Sequence, residues 1–144
     1  MRLLLCLLLL LPLPAAAWEP EGMEVDVELV LAVDVSRSIS PGEMEIQRRG
    51  YAEAITSPEV MTAVRSGLIG RIAVTYLEWA GAYTQRTIVD WTLIRTEADA
   101  RAFAATLTSG LDGAMRRTSI SGALLAAAQA FDDNGFAGLR RVID

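Results

Sequence analysis

The hydrophobic pattern changes period between Val25 and Val33. Val25-Asp26-Val27-Glu28-Leu29 alternates, and Leu29 to Val33 is continuously apolar. A run that starts half-exposed and becomes covered on both faces predicts a central strand of a parallel sheet, ending at Asp34. Ser40-Pro41-Gly42-Glu43 predicts a helix start, with Ser at the cap, Pro at the first helical position and Glu three residues after the cap. The helix continues through Met44, Ile46, Tyr51 and Ile55 and stops before Pro58. A short helical piece with Val60, Met61 and Val64 follows, closed by Ser66-Gly67. Arg71 to Trp79 is rich in β-branched and aromatic residues and predicts a second strand. Ala80-Gly81-Ala82 is too short for the crossover a parallel return needs, so Thr84 to Trp91 is expected as an antiparallel third strand. Thr96 and Asp99 form a second capping pair, ahead of Ala100, Phe103, Ala104 and Leu107 at helical spacing. Asp112-Gly113 marks a turn. Leu124, Ala127, Ala128 and Phe131 repeat the helical spacing, with Asn134-Gly135 as the stop, and Arg140 to Asp144 begins another strand.

The order β-α-β-β-α-α-β predicts an α/β three-layer sandwich of Rossmann type, a mostly parallel sheet with one antiparallel edge strand. A last strand with no helix after it leaves one face uncovered, so the domain is expected to be incomplete at its C-terminus and to continue past Asp144. At the other end, Met1-Arg2, the Leu-rich run from Leu3 to Leu13 and Ala15-Ala16-Ala17 have the layout of a secretory signal, with cleavage expected after Ala17. That run is too short to span a membrane, which takes about 20 helical residues. The expected organisation is a signal peptide over 1–17, a linker over 18–24 and one domain over 25–144, in a secreted or periplasmic protein.

Composition then removes whole classes of chemistry. There is no His, so no Ser-His-Asp or Cys-His nucleophile pair and no His-bound zinc or haem. Cys6 lies in the apolar N-terminal run, so a processed chain has no disulfide, catalytic thiolate or Cys-rich metal site. The net charge of -5 argues against nucleic acid as a partner, because a phosphate backbone needs a basic surface.

The stretch that carries chemistry is Asp34-Val35-Ser36-Arg37-Ser38-Ile39-Ser40, directly after the first buried strand and directly before a capped helix. Ligands of open α/β sheets bind beyond the carboxyl ends of the strands. Asp34, Ser36 and Ser38 are alternate residues there, so a curling loop can turn all three oxygens inward. Two hydroxyls and a carboxylate, without nitrogen or sulfur, suit a hard divalent cation such as Mg²⁺. The same residue types are also favoured simply as turn and cap residues.

Asp34-x-Ser36-x-Ser38 at this point resembles the metal-ion-dependent adhesion site of the von Willebrand factor type A (VWA) domain. That family continues with a separate Thr in a loop before a helix beginning G-x-A-L or similar. Here Arg116-Arg117-Thr118-Ser119-Ile120-Ser121-Gly122-Ala123-Leu124 follows, and Thr118 takes the Thr position. The element order matches too, including the antiparallel hairpin after the second strand. Asp34 to Ser40, Tyr76 to Gly81 and Arg116 to Leu124 look most like a secreted bacterial branch of VWA-like proteins, domain of unknown function 1194, over about residues 25–144. The resemblance implies that Ser36, Ser38 and Thr118 coordinate the metal through hydroxyls, with Asp34 acting mainly through a bound water. It also implies an Asp at the end of the fourth strand, in a short Asp-Gly turn. Asp144 falls too early for that role, and the counterpart is expected a few residues further on. Arg116-Arg117, where many relatives carry small residues, either shift the anion preference near the metal or are solvated surface charges.

Weaker candidates have ordinary structural explanations. Glu78-Trp79 reads as an inward Trp with an exposed Glu, Asp90-Trp91 as an edge-strand pair, and Asp132-Asp133 as a solvated helix end. Glu43 and Glu45 are spaced for surface ion pairs with Arg48 and Arg49. The leading expectation is a non-enzymatic binding module that grips an acidic group of a protein partner through Mg²⁺ or Mn²⁺. A metal-dependent phosphatase or hydrolase is the alternative, although such loops commonly carry a second Asp where Ser36 stands. The third possibility is a structural α/β domain with a degenerate site.

Overall fold

A computed structural model describes residues 22–109, 115 and 117–144 of the chain. The expected signal segment 1–17, residues 18–21, the Asp112-Gly113 turn and Arg116 lie outside the described residues.

Strand β1 (Met23–Asp34) is the apolar run predicted above, and it pairs on both sides. Its neighbours are β2 (Ile72–Trp79) and β4 (Phe136–Ile143), both parallel to it, and β3 (Gln85–Ile94) runs antiparallel along the outer side of β2. The sheet order is β3-β2-β1-β4. Between the strands lie α1 (Pro41–Thr56), α2 (Pro58–Arg65), α3 (Glu97–Thr108) and α4 (Ile120–Gln129). The result is an α/β sandwich with a mostly parallel sheet, as the element order predicts. Both predicted capping boxes are present. Ser40 and Glu43 exchange side-chain-to-backbone hydrogen bonds at the start of α1, and Thr96 and Asp99 do the same at α3.

The two faces of the sheet are unequal. Leu31 and Val33 of β1 and Val74 and Tyr76 of β2 face α1, α2 and α3, whose Ile55, Met61, Phe103 and Leu107 complete the larger core. Val30 and Leu77 face the other way, into a smaller cluster with Ala127 and Phe131 that Trp91, Ala126 and Ala130 flank. All eight residues of β2 are buried, as expected for a strand with partners on both edges and helices on both faces.

Several boundaries differ from expectation for a common reason, pairing between distant segments. β1 starts at Met23, inside the expected linker, because Met23 pairs with Phe136. β4 likewise starts four residues before Arg140, where Glu28 reaches across to accept from the Gly138 N–H at 2.7 Å. β3 extends to Ile94 through its pairing with Ile72. In α4 the predicted apolar stripe is rotated: Ala123 and Ala127 are buried, whereas Leu124 is 53 % exposed and Ala128 is also exposed. A Cβ on Gly122 would lie 2.7 Å from Ala82 Cα. The helix end therefore sits almost backbone to backbone on the turn after β2, and its small residues face inward while the leucines turn out.

Candidate functional site

β1 and β2 end together, Asp34 beside Trp79, and the Val35 N–H still donates to Trp79 O at 2.9 Å. Beyond that bond the chain curls. Asp34 Oδ1 accepts from the Ser36 N–H at 2.7 Å, an Asx turn of the kind Asp favours. Ser36 O then accepts from the Ile39 N–H at 2.9 Å, and the Ser36 and Ser38 hydroxyls come within 3.3 Å of one another. Ser36 is buried and Ser38 exposed, so the cluster runs from the sheet end to the surface. Asp34, Ser36 and Ser38 therefore meet in one loop.

The segment that carries Thr118 is tied to this loop at one end and to the turn after β2 at the other. The Met115 N–H donates to Val35 O at 3.1 Å, and the Ser119 N–H donates to Ala80 O at 2.7 Å. Thr118 lies between these tethers, with its side chain exposed; among the described residues no hydrogen bond joins it to Asp34, Ser36 or Ser38. The preceding Arg117 is in the left-handed region, φ 73°, a conformation that costs a non-glycine residue about 1–2 kcal/mol. Ser119 caps α4 by accepting from the Gly122 N–H at 3.2 Å. Helices α1 and α4 thus both begin at this loop cluster, adding partial positive charge to it.

The Ser36 and Ser38 hydroxyls are spaced as two neighbouring ligands of a hard cation would be. Two neighbouring ligands of an octahedral ion with bonds of about 2.1 Å lie about 3 Å apart, close to the 3.3 Å between the two hydroxyls. Asp34 Oδ1 is held by the backbone, and Oδ2 makes no hydrogen bond among the described residues. No three of His, Cys, Asp and Glu converge anywhere among them, so a cation here would rest on hydroxyls with a single carboxylate.

The family model for proteins of unknown function DUF1194 matches residues 24–144. The chain belongs to the DUF1194 family. No curated protein matches it. The family carries no stated activity, so the chemistry of this DUF1194 chain has to be argued from its own residues.

Other candidates resolve into architecture, and two corrections follow. Glu78 is not exposed: it has no solvent-accessible surface. It holds Arg48 through Oε1 and Arg86 through Oε2, each at 2.6 Å. Arg48 is accordingly not a surface partner of Glu43 or Glu45, because it shares the core-facing stripe of α1 with Met44, Ala52 and Ile55. Trp79 is buried, as expected. Trp91 donates from Nε1 to Ala130 O at 2.8 Å, joining β3 to the end of α4, while Asp90, Asp132 and Asp133 are exposed. Sequence reasoning missed Glu28, fully buried, which accepts from Asn134 Nδ2 at 2.6 Å and from Gly138 N. An acidic residue directly before the continuous apolar run Leu29–Val33 was the available signal.

Proposed function

We propose that this DUF1194 chain is a secreted, non-enzymatic binding domain of the VWA kind. In this reading Ser36, Ser38 and Thr118 hold Mg²⁺ or Mn²⁺ through their hydroxyls, Asp34 supports them, and the domain grips an acidic group of a protein partner. The observation that carries the reading is the Asp34–Ser36–Ser38 oxygen cluster at the paired ends of β1 and β2. When bound, the ion supplies a Lewis-acidic position for a partner's carboxylate oxygen. The protein's own contribution is positional. The Asx turn fixes Asp34 and brings Ser36 inward, the Met115–Val35 and Ser119–Ala80 bonds hold the Thr118 segment beside the loop, and the α1 and α4 N-termini favour an anion.

Calorimetric titration of the purified protein with Mg²⁺ and Mn²⁺ tests this. Binding is expected for the wild type and lost in Ser36→Ala/Ser38→Ala. Equal heats from both proteins, or turnover of a phosphate ester by the wild type, would overturn it.

A further inference from the structure

The three segments around the candidate site have an unusual charge. Val35–Ser40, Ala80–Thr84 and the described residues of Met115–Ser119 contain no carboxylate and two arginines, Arg37 and Arg117, in a chain of net charge -5. Arg37 and Arg117 are both exposed, and neither has a carboxylate partner among the described residues. The bond from Met115 N to Val35 O places each of them two residues from one shared point. Each Cα is therefore within about 8 Å of that point along the chain, and a flexible guanidinium reaches further. One carboxylate of a partner would meet the Asp34–Ser36–Ser38 cluster under the proposed function. The two arginines would remain unneutralised beside it. Guanidinium groups take carboxylates in a bidentate fork, so the rim is complementary to further acidic side chains flanking the first.

We infer that Arg37 and Arg117 form a cationic rim selecting protein segments with several carboxylates in succession, over segments with an isolated Asp or Glu. The inference rests on the proposed function and deepens it by naming the partner's chemistry.

The test compares an oligo-aspartate peptide with a peptide holding one Asp among glycines, in excess Mg²⁺. The oligo-aspartate is expected to bind about tenfold more tightly at low salt, the size of two exposed ion pairs, with the preference fading as salt screens the charges. Arg37→Gln/Arg117→Gln should abolish the preference. Arg101→Gln/Arg140→Gln, which changes net charge equally on α3 and β4, should keep it. A preference that survives the first pair of substitutions, or disappears equally in the second, would overturn the inference. The single-Asp peptide reads the metal separately. If its binding needs Mg²⁺ and Ser36 and Ser38 while no oligo-aspartate preference exists, the rim falls alone. If its binding ignores Mg²⁺ while the arginine-dependent preference persists, the metal reading falls and the rim stands.

Discussion

Arg48 Nη2 lies 2.6 Å from Glu78 Oε1, and the two side chains are 2 % and 0 % exposed. The pair ties the core face of α1 to β2, with Arg86 closing the other carboxylate oxygen. Removing one member of a buried pair costs about 3–5 kcal/mol, because the remaining charge is left without its counterion. Glu78→Gln, which deprives two arginines at once, should be the more damaging change. Arg48→Met leaves Glu78 still paired with Arg86 and should cost less. Urea unfolding of both variants checks the order, and a larger loss in Arg48→Met would contradict it.

Tyr76 presents the opposite situation. Its ring is in the larger core, edge-on to Tyr51 at 5.6 Å, but its buried hydroxyl has no hydrogen-bond partner among the described residues. Burial, followed by the nearby Glu78 charge, pushes its ionisation well above the usual tyrosine range. A buried hydroxyl without a partner carries a desolvation cost of about 1–3 kcal/mol. Tyr76→Phe should therefore hold or raise the melting temperature, and a clear drop would show that the hydroxyl is satisfied.

Asp26 fixes the turn before β2 by accepting from the backbone N–H groups of Ile69, Gly70 and Arg71. The Ile69 N–H is the main reason its pKa lies below the usual aspartate value; desolvation opposes it, and the Arg71 and Gly70 N–H groups add smaller lowering effects. A depressed carboxylate stabilises the fold above the unfolded value of about 3.9, and that contribution is lost as pH falls through the folded value. Asp99 and Glu43 are lowered as well, so only a difference isolates Asp26. Between about pH 5 and pH 3, the wild type should lose more stability than Asp26→Asn. Parallel losses in denaturant titrations would exclude the effect.

Two glycines should respond in opposite directions to the same change. A methyl on Gly122 would collide with the Ala82 backbone at 2.7 Å, whereas one on Gly42 meets nothing within 4 Å. Gly42→Ala in the first turn of α1 should raise stability by about 0.5–1 kcal/mol. Gly122→Ala should lower it by about 1–3 kcal/mol and weaken any ligand that depends on Thr118, because α4 and its cap must move. Thermal melts of the two variants give the comparison.

The signals legible in the sequence were local ones. Ser40 with Glu43 and Thr96 with Asp99 announce their helices across three residues, and the unbroken run to Val33 announces a buried strand. The Asp34–Ser38 loop was legible for the same reason. What could not be read locally were partnerships across the chain. Arg48 with Glu78, and Glu28 with Asn134, look like solvated charges until the strands align. The inward face of α4 is set by the Gly122–Ala82 approach, which no periodicity within the helix encodes. Thr118 entered only through resemblance, since nothing in its own neighbourhood points to Ser36.

The unequal cores have a dynamic consequence. Opening free energy follows local burial, so amides of β1 and β2 should exchange with solvent last, and those of α4, held by Ala123, Ala127 and a small cluster with Phe131, much earlier. The candidate site straddles that division, with Asp34, Ser36 and Ser38 leaving the rigid strand β1 and Thr118 leading into the looser helix. A ligand bridging the two must quench the motion of α4, so binding should be entropically opposed and slow the exchange of amides well beyond those it touches.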